Sequence, residues 1–380
     1  MRIGVRLRCL RCGYVGPSNG PLCPRCGFPL IAEPRGVLRI DRDKASILRY
    51  ASALNYGPKA VSLGEGFTRI RRVNGVMIKD ESRNPTGSFM DRGSAVLISN
   101  AEGEVRALFE EDFTLSIATY ANAVGISVKV YVDPDRVGAY PELLRLSVMS
   151  NVSIEFGGKR EVNVYYGEPL FLDGVKTIAY ELYEQVGEVE GVVLPMERGY
   201  LALAIYEGFR ELLEWGFIGE LPRFILVKHR AGQMTDIGNW LVEAASARVV
   251  NVGDEETIKS MIELARSGMY VKPVSAMAYA VASTLGKDYV AVITGTGVKE
   301  YRVGRELGGL TKLQEAIIGV LEGSRPLTAY EVWERLGGAA TIQGVYKALD
   351  SLVRRGLVVF SYEVRGNKKV RVYSLLSNYK

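Results

Sequence analysis

The chain has 380 residues, 47% of them hydrophobic, with 14 Pro and a formal charge of +5; this excludes a disordered or fibrous protein and leaves room for two or three folded units. No apolar run reaches the roughly 18 residues that cross a bilayer, and the opening MRIGVRLRCL meets a cysteine before a secretory apolar stretch can form, so a cytoplasmic protein with no membrane partner is expected. The charge is uneven, at +6 over residues 1–44, −6 over 45–309 and +5 over 310–380, which places expected polyanion contacts at the ends of the chain.

The four cysteines come first, as Cys9-x2-Cys12 and Cys23-x2-Cys26. A two-residue gap lets both thiolates of a pair reach one ion from a tight turn, and Gly13 and Gly27 suit the left-handed turn that follows. The reading is a structural zinc ribbon with a closed four-thiolate site, against the alternatives of two disulfides or unbound thiols. So small a segment would draw most of its folding energy from the metal. Arg6, Arg8, Arg11 and Arg25 give it a basic surface.

Residues 45–309 read as α/β. Strand-like runs at VRALF (105), ISVKVYV (126), GVVLP (191), RFILV (223), ARVVNV (247) and YVAVI (289) alternate with helical patterns from Thr114, Tyr200 and Glu255. Such alternation implies crossover units and a mainly parallel sheet, with two lobes and a ligand cleft between them.

Two motifs make this region recognisable. Ser62-Leu-Gly-Glu-Gly-Phe-Thr68 and Lys79-Asp-Glu-Ser-Arg-Asn-Pro-Thr-Gly-Ser-Phe-Met-Asp-Arg-Gly93 resemble threonine synthase and other fold-type II pyridoxal-phosphate (PLP) enzymes, whose two-lobed body is tryptophan synthase beta-like. Ser116-Ile-Ala-Thr-Tyr-Ala121, Lys272-Pro-Val-Ser-Ala276 and Thr294-Gly-Thr-Gly297 add to the resemblance, which spans roughly residues 1–305 because archaeal threonine synthases commonly begin with a four-cysteine ribbon.

The resemblance also has departures. At the position of the lysine that holds PLP covalently stands Met90, whose thioether cannot form an imine. Lys79 and Lys299 are the candidate substitutes. Phe109-Glu110-Glu111-Asp112 stands in place of an STGN-like loop, and Pro195-Met-Glu-Arg-Gly-Tyr-Leu201 in place of a glycine-rich phosphate cradle, with Arg198 as a possible altered anion contact. These departures lead to the expectation of a catalytically inactive scaffold without PLP, with no catalytic or cofactor-binding residues, whose cleft takes a small amino-acid-related or phosphorylated effector. The lone His229, in VKHRAG, reads as a loop or packing residue.

From residue 310 the pattern becomes TKLQEAIIGVLEG, then Leu327 and TAYEVWERLG with Thr328 as N-cap, then TIQGVYKALDSLVRRGLV. In the third helix Ile342, Val345, Tyr346, Leu349, Leu352 and Val353 are the expected core face, and Gly356 the stop. The hairpin VVFSYEVRGNKKVRVYSLL completes a pattern that resembles the winged helix-turn-helix domain of prokaryotic transcription regulators. That resemblance implies double-stranded DNA as partner, with Thr341, Gln343, Lys347, Ser351 and Arg354 on the recognition helix and Arg365, Lys368, Lys369 and Arg371 on the wing. Three domains are thus expected, at 1–44, 45–309 and 310–380. The function expected is a homodimeric DNA-binding transcription regulator, with a PLP-dependent threonine-synthase-like lyase acting on a phosphorylated hydroxyamino acid and a noncatalytic docking scaffold as alternatives.

Overall fold

The computed structural model describes residues 5–133, 141–157, 161–298, 311–354, 357–366 and 368–375. The chain divides into two compact units, Met1–Glu300 and Tyr301–Lys380, so the cysteine segment belongs to the first unit.

In that unit β1 (Leu7–Cys9) pairs antiparallel with β2 (Leu30–Ala32). A hairpin of β3 (Ile70–Val73) and β4 (Val76–Asp80) leads to α1 (Met90–Ser99). The smaller lobe follows as β5 (Val105–Leu108), α2 (Phe113–Ala123), β6 (Val128–Val132), α3 (Pro141–Ser147) and β7 (Val152–Phe156), with a parallel sheet in the order β5-β6-β7. The chain continues through α4 (Pro169–Val175), α5 (Thr177–Val186), β8 (Gly191–Pro195), α6 (Tyr200–Glu214) and β9 (Arg223–His229). It then forms α7 (Asp236–Ala245), β10 (Arg248–Val252), α8 (Asp254–Arg266), α9 (Pro273–Ala282) and β11 (Tyr289–Ile293).

The larger sheet runs β10-β9-β8-β11-β4-β3, parallel except for β3. Its inner strands β8 and β11 are buried at every residue, as their unbroken apolar runs require of a sheet covered on both faces. Helix α1 is buried along its whole length, and its closest neighbour is α4. A Cβ at Gly93 would lie 2.4 Å from the Phe171 ring, and one at Gly174 only 2.0 Å from the Arg92 carbonyl oxygen, so both glycines are demanded by the contact. The expected helices from Thr114 and Glu255 each begin one residue earlier. The strand expected from residue 126 starts at Val128, because Ile126 instead makes a turn bond to Ala121.

The second unit comprises α10 (Lys312–Leu321), β12 (Leu327–Thr328), α11 (Ala329–Arg335), α12 (Ile342–Arg354) and a hairpin of β13 (Val358–Arg365) and β14 (Lys368–Leu375), with sheet order β12-β14-β13. It has its own core, in which Ile317, Leu321, Val332, Val345, Leu349, Leu352, Val358 and Tyr373 meet. Thr328 caps α11 as expected, its Oγ1 accepting from the Glu331 amide at 3.2 Å while the Glu331 carboxylate accepts from the Thr328 amide at 2.6 Å. Tyr346 departs from expectation and is 49% exposed, since the inward stripe of α12 runs through Val345, Leu349 and Leu352. Gly356 lies outside the described residues. Among the described residues no helix is long and apolar enough to cross a membrane.

Candidate functional site

The Lys79–Gly93 motif folds into a turn that aims the start of α1 at the end of β11. The Phe89 amide donates to the Thr294 carbonyl at 2.9 Å and the Thr296 amide to the Gly87 carbonyl at 2.8 Å. Gly87, at φ +83°, leaves no room for a Cβ beside Thr296. Asp91 secures the turn by accepting from the Thr86 amide and hydroxyl, each at 2.7 Å, and from Ser116 at 2.6 Å. Its burial pushes this carboxyl up to about 6 despite those donors.

Behind the turn lies a fully buried charge network. Lys79 is hydrogen-bonded to Glu181; Arg92 reaches Glu181 through Nη1 at 2.7 Å and grips Glu81 through Nε at 2.7 Å and Nη2 at 2.8 Å. Thr177 accepts from Arg92 at 3.1 Å, and Thr68 of the first motif donates to Glu81 at 2.8 Å. Burial alone would raise Glu181, but Arg92 and then Lys79 outweigh it and hold the carboxyl down at about 2. Lys79 is therefore a framing cation and does not line the cleft; Lys299, the other expected substitute, lies outside the described residues.

In front of the turn is a cavity of about 600 Å³, walled by Phe89 and Met90, by Leu108–Asp112 and Tyr131–Asp133 of the smaller lobe, and by Tyr166, Glu197, Arg198, Lys272, Val274 and Thr294. Met90, Glu110, Glu111, Asp112, Glu197 and Arg198 all converge here, as the resemblance implied for their positions. Sequence reasoning missed one member. Lys272, at the N-cap of α9, donates to Asp112 at 2.6 Å and lies 3.4 Å from Glu111, and it is the one lysine lining this cavity among the described residues. The KPVSA motif that contains it was the available signal, although nothing local to that motif says where the amine points. Burial opposes the charge on Lys272, but Asp112 and Glu111 together raise its pKa above the ordinary lysine value.

Arg198 pairs with Glu110 at 2.7 Å and stands over the Tyr166 ring. Next to it, Gly199 at φ +87° caps α6 with no side chain on the first amides, and a Cβ there would lie 2.8 Å from Ile237. An open helix N-terminus beside a guanidinium is an arrangement that accepts an anion. His229 is elsewhere, in a surface pair with Asp254 at 3.1 Å.

The cysteines form a second site. Gly13 and Gly27 take the expected left-handed turns at φ +68° and +73°. The four sulfurs lie within 4.8 Å of one another, with Cys9 to Cys26 at 3.5 Å and Cys12 to Cys23 at 3.6 Å. A tetrahedron of thiolates at about 2.3 Å from zinc has edges of about 3.8 Å, so this cluster could chelate a metal. None of the four is in a disulfide.

The expected nucleic-acid residues divide by environment. Gln343 and Lys347 are exposed on α12. Thr341 accepts from the Gly344 amide at 3.1 Å at the start of that helix, and Ser351 accepts from Gln314 at 3.1 Å, so Ser351 turns to α10 and away from the open side. Arg365 pairs with Glu331 at 2.7 Å, and Arg371 with Asp350 at 3.3 Å while covering the Phe360 ring. The side chains of Arg354, Lys368 and Lys369 lie outside the described residues.

Residues 140–296 match the family model described as pyridoxal-phosphate dependent enzyme. Threonine synthase of Methanosarcina acetivorans is 26% identical over 77% of this chain and 91% of that protein, and that of Methanocaldococcus jannaschii 25% identical over 77% and 92%. The body has a fold-type II PLP-enzyme-like fold and is similar in sequence to threonine synthases. Threonine deaminase isoform 2 from Solanum lycopersicum superimposes with a TM-score of 0.53 at 14% identity, over 75% of this chain and 95% of that one. Maize serine racemase does so with a TM-score of 0.52 at 14% identity, over 67% and 93%.

These matches overturn two expectations. The reading of a non-enzymatic pseudoenzyme serving as a transcription regulator, and that of a cleft without PLP, both took the departures at Met90, 109–112 and 195–201 as loss of the site. The family model covers residues 140–296, the relatives are threonine synthases, and the network of Lys79, Glu81, Arg92, Thr177 and Glu181 behind the cleft is complete. The physical reason the sequence misled is that the three altered stations were weighed without sight of Lys272 in the same cavity.

Proposed function

We propose that the first unit is a pyridoxal-phosphate-dependent enzyme of the threonine-synthase superfamily, a lyase acting on a hydroxyamino acid. The observation that carries this reading is the cavity in front of α1, a space of about 600 Å³ lined by the Lys272 amine and by Arg198, which lies just before the start of α6. The chain's residues fit the group at these points: Arg198 and the open amides of α6 at its anionic end, and Lys272 as the amine, since Met90 supplies none. When bound, the group supplies an electron sink for charge developing on an amino acid. Lys272 holds a proton at Nζ, and Asp112, which accepts from it at 2.6 Å, keeps it there. Ser275 and Thr294, whose hydroxyls are 2.9 Å apart at the end of β11, fix the far wall. Glu110, Glu111 and Asp112 already engage both cations, so an anionic ligand must displace carboxylates to enter, and Glu197 adds to that barrier.

The test is a titration of the full chain with pyridoxal phosphate, followed by its absorption and by competition with inorganic phosphate. Saturable binding that phosphate weakens is expected, and Arg198→Ala should weaken it about tenfold, the loss of one charge-assisted contact of about 1.5 kcal/mol. No saturable binding at millimolar ligand would overturn the reading.

A second reading concerns the other unit and rests on its own geometry. Three helices, a short strand and a hairpin around a private core, with Gln343 and Lys347 exposed on the third helix, support a winged helix that contacts double-stranded DNA. A homodimer would present two such helices. Lys347→Ala should relax sequence preference by about 1 to 3 kcal/mol if the side chain reaches a base edge, whereas removing Lys368 and Lys369 should lower the salt slope by roughly one unit per lost phosphate contact. Fluorescence titrations at several salt concentrations read both effects. Equal affinity for selected and scrambled duplexes, unmoved by either change, would remove this reading. The cysteine cluster is proposed to hold structural zinc.

A further inference from the structure

Three residues that neighbour the cysteines, Arg8, Arg11 and Phe28, reach helices of the body. Arg8, next to Cys9, reaches Glu207, a carboxylate 2% exposed in the middle of α6, which Arg210 also holds at 2.9 Å. Arg11, next to Cys12, donates to Asp236 at 2.6 Å in the first turn of α7 and covers the ring of Phe28 at 4.2 Å. Phe28, just beyond Cys26, is fully buried against Trp240 at 5.1 Å, and Trp240 meets Tyr206 of α6 at 5.5 Å. The first half of the cysteine segment therefore holds both α6 and α7, and the second half packs on α7.

Those helices lead directly to the cavity. Ile237, one residue after Asp236, closes on Gly199 so tightly that no Cβ fits there, and Thr235 and Gly238 lie against Met196. Residues 196–199 are the segment that presents Glu197 and Arg198 to the cavity and opens α6. From sulfur to cavity wall the path is two ion pairs, one aromatic stack and one glycine contact.

We propose that the cysteine cluster is a metal-dependent clasp: zinc bound by Cys9, Cys12, Cys23 and Cys26 holds Arg8, Arg11 and Phe28 on α6 and α7, and thereby fixes the 196–199 wall of the cavity. Without the ion nothing draws the four sulfurs into one site, the two turns are free to separate, and the arginines lose the fixed spacing that lets them reach Glu207 and Asp236 together. Coupling of this kind is reciprocal, so weakening the grip on the helices must also weaken the hold on zinc.

Hydrogen exchange on the full chain, with zinc and after chelation, tests this together with zinc retention measured against a competing chelator. Removing zinc is expected to speed exchange at least tenfold in residues 196–206 and 234–241 while β5, β6 and β11 keep their protection. Arg11→Gln, with all four cysteines in place, is expected to raise the zinc dissociation constant at least threefold and to loosen the same segments even when zinc is bound. Faster exchange confined to residues 5–32 would overturn the clasp and make the segment an independent module. Should chelation unfold the whole first unit, the Arg11→Gln dissociation constant decides, and a value equal to that of the unaltered chain would overturn the proposal.

Discussion

Glu181→Ala is expected to destabilise the first unit by about 3–5 kcal/mol, the cost of leaving buried charges without their partner. Lys79 and Arg92 are both fully buried, and Glu181 is the one carboxylate that contacts both. Arg92 retains Glu81, whereas Lys79 is left with the Thr68 carbonyl and Gln185. Urea unfolding followed by tryptophan fluorescence in a Trp333→Phe background, which leaves Trp215 and Trp240 of the first unit as reporters, would measure the loss. As a control, Glu190→Ala breaks the exposed pair with Arg223 and should change stability by less than about 1 kcal/mol. The pH dependence has a definite sign. The Glu181 carboxyl is held at about 2, below its ordinary 4.5, so its contribution is complete above that ordinary value and is lost as pH falls towards 2. Asp91, raised to about 6, acts in the opposite sense, and its contribution is lost as pH rises through that value. Loss of the acid slope below about 4.5 in Glu181→Ala, with the slope that Asp91 contributes up to about 6 retained, is the expected signature.

Lys272→Ala is expected to abolish covalent capture of pyridoxal phosphate, because no other described lysine lines the cavity. In the unaltered chain capture should quicken as pH rises: Asp112 and Glu111 keep the amine protonated beyond the ordinary lysine value, and only the neutral amine attacks a carbonyl. Asp112→Asn should therefore speed capture at neutral pH, since it removes the carboxylate 2.6 Å from Nζ. Asn matches Asp in size, so the replacement removes the charge and little else. Capture rates at fixed ligand concentration over a series of buffers, with the product read by intact mass, check both statements.

What the sequence made legible follows from the range of the interactions involved. The cysteine turns are local, and the spacing of Cys9, Cys12, Cys23 and Cys26 with Gly13 and Gly27 determined their geometry. GVVLP and YVAVI are unbroken apolar runs because β8 and β11 are covered on both faces, and they were legible for that reason. The helix cap at Thr328 was legible through its partner three residues on. The charge network was not, since Lys79 and Glu181 are separated by 102 positions, and a Glu within TIAYELYEQV reads as the solvated side of a helix. Arg8 and Arg11 were read as basic surface for the same reason, although their partners sit on α6 and α7. The functional site suffered most from this limit. Met90 was visible as a loss, but Lys272 enters the cavity from 182 positions away, on a loop whose placement depends on the packing of α9 against β11.

The most direct test of the account is reduction of the full-length protein with borohydride in the presence of pyridoxal phosphate, followed by peptide mass mapping. A single pyridoxyl group on Lys272, lost in Lys272→Ala and suppressed by inorganic phosphate, is the predicted result; pyridoxal phosphate that leaves Lys272 unmodified while labelling only exposed lysines at random would contradict it.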